Sequence, residues 1–281
     1  FFRTARPYAG VEWIQYNSSG EFKLLLLHGA FVIMETLSVF PRSVNRETVL
    51  VKDGKNQTRI IYPAKDPQYR QLAEKLSTAI SSVSGATPLL ASDEEVMPGK
   101  LGRLPDEYRT SSLIFLGNIN TNRAMVNLYV RYKCFTDADY PGGNGYELRT
   151  VINPYTRGNN LIVLGGSSLE GVGRAVNRLV SEIGKNGQPG QVVLPFLLEI
   201  DIEPSLKKRL DDYPYTDLDA PKPGMSTMQG YEIMRVVGHY SLMYAVTGDR
   251  RYGEYGAECR GCSAITIPIP TATGTISSNG Y

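Results

Sequence analysis

Between Asp137 and Gly184 the chain runs from D-A-D-Y-P-G-G-N-G-Y-E-L-R-T to L-I-V-L-G-G-S-S-L-E-G-V-G-R-A-V-N-R-L-V-S-E-I-G, and no other stretch leaves so few folds open. Leu161, Ile162, Val163 and Leu164 form an unbroken apolar run, which fits a strand covered on both faces rather than one with a wet side. Gly165 and Gly166 then permit a sharp bend. Ser167 and Glu170 stand at capping-box spacing, which predicts a helix opening there, with hydroxyl and carboxylate each satisfying an amide of the first turn. Val172, Ala175, Val176, Leu179, Val180 and Ile183 recur at helical spacing, Arg174, Arg178 and Glu182 fall off that stripe, and Gly184 suits a left-handed stop. A buried strand joined tightly to a helix with one apolar face is an α/β layer.

A glycine-rich bend ahead of a helix invites phosphate, because free amides and the positive dipole end meet there. The spacing is wrong for it. Neither G-x-G-x-x-G nor G-x-x-x-x-G-K-[ST] is present, so the bend reads as a tight β-to-α connection and no cofactor is expected.

The same unit recurs upstream. Thr48 to Val51 and Arg59 to Tyr62 read as short strands separated by a turn at Asp53-Gly54, which resembles a hairpin. Asp66 and Pro67 open a helix whose stripe is Tyr69, Leu72, Ala73, Leu76, Ala79 and Ile80, ending before Gly85. After a loop with Pro98, Gly99, Gly102 and Pro105 come a strand at Leu113 to Leu116 and a predicted helix through Ala124, Met125, Leu128 and Tyr129. The expected class is therefore α/β, a mixed sheet covered by helices, followed by a short helical hairpin.

Composition sets outer limits. With 281 residues, 42% hydrophobic and 21% charged, the chain can bury a sizeable core and divide into more than one unit. Thirty basic against 28 acidic residues, a formal net charge of +2, supply no basic stripe, so nucleic acid is not an expected partner. The apolar run Leu24 to Met34, interrupted by His28, is too short for a bilayer and reads as a buried strand or strand pair; no membrane span is expected. The chain opens on Phe1 rather than methionine, which points to a removed leader or a start within a longer product. Three cysteines exclude a disulfide-built scaffold, and the sequons Asn17-Ser18-Ser19 and Asn56-Gln57-Thr58 are short enough to arise by chance.

Five segments follow from these readings. Residues 1–47 are an extended N-terminal β segment, 48–210 the α/β domain, 211–224 a linker rich in Pro, Asp and Gly, 225–258 a helical segment, and 259–281 an irregular tail. Within the second, Gln191 to Glu203 gives a long extended signal in which Glu199, Asp201 and Glu203 alternate with Leu198, Ile200 and Ile202. Such a row can hold calcium or meet a sugar, but solvated acidic edges that discourage unwanted strand pairing are commoner, and no metal site is assigned. The helical segment carries Met228, Tyr231, Met234, Val237, Tyr240, Leu242, Met243, Tyr244 and Val246, apolar over most of a circumference, stops at Thr247-Gly248-Asp249 and begins a partner at Arg250. His239 is a thin candidate for a base, since no matched partner can be named, and Cys259-x-x-Cys262 lacks both a second pair for zinc and a redox context.

The words I-I-Y-P-A-K-D-P-Q-Y-R-Q-L-A-E-K-L, S-G-A-T-P-L-L, L-I-F-L-G-N, G-Y-E-L-R-T and L-I-V-L-G-G-S-S-L-E-G-V-G-R-A-V come in an order that resembles the α/β accessory domain ahead of the catalytic module in extracellular polysaccharide-degrading enzymes, including α-glucuronidase-like and β-hexosaminidase-like glycoside hydrolases. The resemblance covers Thr48 to Gly184. Beyond the linker, H-Y-S-L-M-Y-A-V-T-G-D-R-R-Y-G-E-Y is similar to the opening helices of α/α toroids in heparinase-like polysaccharide lyases. The sequence departs from that pattern after Glu258, where Arg260 is the only charged residue to the end, so the catalytic residues of the later helices have no counterpart and remain unknown.

The resemblance implies a secreted or cell-surface, non-catalytic carbohydrate-associated domain or fragment whose partner is a polysaccharide or other glycan. On that reading the D-A-D-Y-P-G-G-N-G-Y loop offers the contacts: Asp137 and Asp139 for sugar hydroxyls, Tyr140 or Tyr146 for an aromatic face, and Arg149 for a uronate carboxylate. A proline-glycine turn bracketed by tyrosines is equally a way to fix a loop on a sheet. Two alternatives stand beside it: an extracellular structural subunit self-associating by strand addition through the ends of the chain, and a lyase or hydrolase with an unrecognised site.

Overall fold

The computed structural model describes residues 11–16, 21–28, 31–38, 46–99, 103–156, 158–211 and 230–258. The chain divides into two units, Phe1–Val44 and Asn45–Tyr281. In the first, β1 (Val11–Tyr16), β2 (Glu21–His28) and β3 (Phe31–Ser38) form an antiparallel sheet in the order β1-β2-β3, so the apolar run Leu24 to Met34 crosses from one strand into the next. The linker after Asp211 and the tail from residue 259, with Cys259 and Cys262, lie outside the described residues, as does the Asn17 sequon.

The second unit is built on a six-stranded sheet. Before it comes β4 (Thr48–Lys52), which turns at Asp53-Gly54 into the two-residue β5 (Lys55–Asn56), and β6 (Thr58–Tyr62) then enters the main sheet. The predicted hairpin therefore closes on β5 rather than on Arg59–Tyr62, which pairs in parallel with β7 (Leu89–Ser92) and β8 (Ser112–Gly117). Its apolar composition suits a strand buried on both faces better than a hairpin arm. Next to β8 lies β10 (Leu161–Gly166), also parallel; β9 (Tyr146–Val151) joins β10 antiparallel, and β13 (Leu198–Asp201) closes the edge antiparallel to β9. A second, small sheet runs β11 (Gly187–Gln188), β12 (Gln191–Leu194), β4, β5.

Helix α1 (Pro67–Ser84) follows β6, with the Asp66 carboxylate accepting from the Gln68 amide and Gly85 closing it at φ 78. Its stripe of Tyr69, Ala73, Leu76 and Ile80 and that of α5 (Leu169–Asn186), Val172, Ala175, Val176, Leu179 and Ile183, share one core over Ile60, Ile114, Leu116, Ile162 and Leu164. The opposite face, with Ile61, Phe115, Leu161 and Val163, is covered by short pieces: α2 (Asp93–Val96), α3 (Asp106–Arg109), a 3-10 turn at Arg123–Met125 and α4 (Val126–Tyr129). The predicted helix through Tyr129 is thus only that turn and α4. A capping box does occur, but at Ser92 and Glu95.

Helix α5 departs from its prediction at both ends. Its N-cap is Ser168, whose hydroxyl accepts from the Gly171 amide, and Ser167 instead accepts from the Gly142 amide at 3.0 Å. The helix runs through Gly184 to Asn186, because Glu182 and Ile183 remain buried and hold another half turn against the sheet. Glu182 is buried rather than solvated, with its carboxylate on Arg178 at 2.5 Å and Lys185 at 3.0 Å. The long extended signal from Gln191 also breaks, at Pro195, into β12 and β13 of different sheets. After α6 (Pro204–Asp211), helices α7 (Gly230–Thr247) and α8 (Arg250–Glu258) pack as a hairpin around Val236, Tyr240, Met243, Tyr252 and Tyr255. Among the described residues no helix is long and apolar enough to cross a membrane.

Candidate functional site

Strand β9 carries opposite chemistry on its two faces. Tyr146 and Leu148 point into the core beneath α1 and α5, while Glu147 and Arg149 point away from it. Glu147 is fully buried and Arg149 nearly so. The Arg149 Nε donates to the Glu147 carboxylate, its guanidinium lies 5.2 Å from the centre of the Phe135 ring, and the Phe135 amide donates to the same carboxylate at 3.4 Å. A second nitrogen of the guanidinium, Nη2, donates to the Ala245 carbonyl, and the Tyr140 hydroxyl donates to the Val246 carbonyl.

Ala245 and Val246 belong to the last turn of α7, where carbonyls have no partner within the helix and the dipole end is negative. Gly248 supplies the left-handed stop at φ 70, its amide on the Tyr244 carbonyl at 2.9 Å, and Ile200 of β13 packs beside it. The result is a clasp: a cation on the sheet and a phenol on the loop before β9 grip the negative end of a helix, and the buried Glu147 carboxylate balances the cation.

The loop before β9 makes the clasp rigid. Asp137 Oδ1 accepts from the Asp139 and Tyr140 amides at 2.9 and 2.8 Å, and Oδ2 from the Tyr129 hydroxyl at 2.7 Å. Gly145 sits so close to α5 that a Cβ on Gly171 would come within 2.3 Å of the Gly145 carbonyl oxygen. Arg174 donates to the Asn144 carbonyl at 2.8 Å and the Ser168 hydroxyl to the Asn144 side chain at 3.0 Å. The first turn of α5 is therefore packed under this loop.

The predicted contact residues separate into three places. Tyr140 and Arg149 come together in the clasp. Tyr146 lies across the sheet, its hydroxyl on Glu199 and its ring 5.1 Å from the Arg174 guanidinium; burial, then the hydrogen bond to Glu199, pushes this phenol up to about 12. Asp137 is taken up by the loop, and Asp139 alone among the five is exposed. The carboxylate row at the edge is likewise engaged: Glu199 with Arg178 at 2.7 Å, Asp201 with Arg174 at 2.5 Å, and Glu203 with Ser205 and the Leu206 amide at the start of α6.

In open α/β sheets a ligand crevice forms beyond the C-terminal ends of parallel strands. Here it is filled. Asp93 accepts from the Ala64 amide at 2.8 Å and the Arg123 amide at 2.9 Å, Asn122 donates to the Leu116 carbonyl at 2.8 Å, and Asn118 donates to the Gly166 carbonyl at 2.8 Å. These buried side chains stitch β6, β7, β8 and β10 together. Nearby Cys134 is buried against the same face, and desolvation pushes its thiol far above the usual range. His239 is half-buried in α7, edge-on to Tyr240 at 6.3 Å.

Glu147 is the member of the clasp that the sequence pattern does not single out. The signal was present in G-Y-E-L-R-T: two opposite charges two residues apart on a strand with no wet face have to meet each other. Fold and site together define an α/β domain that carries a helical hairpin on a buried ionic clasp. Set against known proteins, the sequence matches no family model and no curated protein.

Proposed function

We propose that this chain is a non-catalytic, carbohydrate-associated domain of a secreted or cell-surface polysaccharide-degrading enzyme, in which the α/β layer holds and orients a helical module. The clasp supports this reading: Arg149 and Tyr140 use their donors on the Ala245 and Val246 carbonyls. A catalytic arginine or tyrosine has to keep those donors for substrate. The order of sequence words between Thr48 and Gly184 supports the carbohydrate context, through their resemblance to accessory domains.

Affinity electrophoresis of the full chain through gels containing soluble polysaccharides, with product analysis on the same mixtures, tests the proposal. Retarded migration without released oligosaccharides is the expected result. Release of products would replace it with the reading of a lyase or hydrolase. Concentration-dependent filaments under dilute conditions would favour strand addition instead.

A further inference from the structure

The turn that ends α4 carries a feature the clasp does not use. The Tyr132 amide donates to the Tyr129 carbonyl at 2.9 Å and the Lys133 amide to the Leu128 carbonyl at 2.9 Å. This is the paired bonding of a Schellman stop, whose left-handed residue is ordinarily glycine because a side chain is crowded there. In this chain that residue is Tyr132, at φ 54. Packing does not account for it, since Tyr132 is 79% and Val130 62% exposed, the two highest values for large apolar side chains among the described residues. Arg131 and Lys133, its neighbours in the chain, are exposed as well. Neither backbone preference nor core packing selects a tyrosine at this position.

We infer that Arg131, Tyr132 and Lys133 form a platform for an acidic polysaccharide, a chain of uronic acid residues; this rests on the carbohydrate-associated reading and narrows it. The phenol ring offers an apolar face to the C–H face of a pyranose, and the flanking cations meet its carboxylates. The Tyr129 hydroxyl ties the platform's helix to Asp137, so the exposed Asp139 stands on the adjoining loop as an acceptor for sugar hydroxyls. A bilayer surface is less well matched, because stable anchoring asks for a larger apolar face and a longer basic cluster than three residues supply.

Binding of the full chain is titrated with polygalacturonate, with a neutral glucan and with phosphatidylserine vesicles, and compared with Tyr132→Gly and with Arg131→Gln/Lys133→Gln. Tyr132→Gly is expected to weaken polygalacturonate binding by about tenfold or more. Its Tm is expected to rise by about 2–4 °C as the crowded backbone relaxes. The double variant is expected to weaken polygalacturonate binding and to flatten its salt dependence, since exposed charges are what salt screens. Polygalacturonate binding that both variants leave intact overturns the platform while carbohydrate association stands. Binding to neither polysaccharide overturns both readings. Tyr132-dependent binding to vesicles and not to polygalacturonate overturns the platform in favour of a membrane surface.

Discussion

Helices α5 and α7 are held to the same sheet by different physics. On α5 a stripe of Val172, Ala175, Val176, Leu179 and Ile183 is buried over the strands, with arginines and carboxylates arranged at its rim. The α7 end is fixed at its tip by two donors, one from β9 and one from the loop before it, to two carbonyls, with a buried ion pair behind them. Apolar burial is non-directional and sets how deeply an element sits. Hydrogen bonds and a compensated charge are directional, and set where its end sits. The α5 face should therefore tolerate shape-preserving exchange, whereas the α7 clasp should respond to the loss of single atoms.

The largest effect is expected at the clasp. Arg149→Met leaves the Glu147 carboxylate buried without its cation, a loss of about 3–5 kcal/mol by denaturant unfolding, accompanied by faster hydrogen exchange in α7. Adding Glu147→Gln should recover most of that loss, because a neutral amide no longer carries an uncompensated charge. If the double variant is as unstable as the single one, charge balance is not what the pair contributes. Leu179→Ala, at a fully buried position on α5, should cost about 2–5 kcal/mol and speed exchange across the layer without singling out α7, since the cavity weakens the whole layer.

Tyr140→Phe is the finer cut. It leaves the Val246 carbonyl without its donor at a loss of about 1–3 kcal/mol, and the matching Tyr146→Phe on the α5 side should cost less, because the half-exposed Glu199 keeps Arg178. Alkaline pH separates the two faces with the smallest signal. Burial raises the Tyr140 phenol well above its ordinary value, and Tyr146 rises to about 12. A phenol whose folded pKa is raised contributes stability that is complete below the unfolded value of about 10 and is lost as pH rises through the folded value. Stability should accordingly fall above about pH 10, phenolate absorbance should appear together with unfolding, and Tyr140→Phe should flatten the fall more than Tyr146→Phe.

The parts legible in the sequence share a property. Helix α1, β8, β10 and the stripe of α5 are each specified by apolar residues a few positions apart, so a short window holds the whole signal. Where two partners competed, the window failed: Arg59–Tyr62 looked like the far arm of a hairpin, and the two-residue β5 took that place. Glu182 looked solvated because its charge hid its position at the edge of the buried stripe. The clasp was out of reach for another reason. Arg149 and Tyr140 meet carbonyls 96 and 106 residues further on, and any backbone carbonyl in the chain is chemically the same acceptor.

What the amino-acid order determined alone was the set of layers: which segments extend, which coil, which stripe faces inward, and that a helical hairpin follows an α/β domain. Those depend on interactions within a few residues. What only the tertiary structure decided was the use of the polar residues: that Arg149 and Tyr140 close a helix end, that Tyr146 and the acidic row serve the far face, and that Tyr132 stays in the open. A charged or aromatic side chain takes its role from what stands opposite it, and that neighbour is chosen by folding.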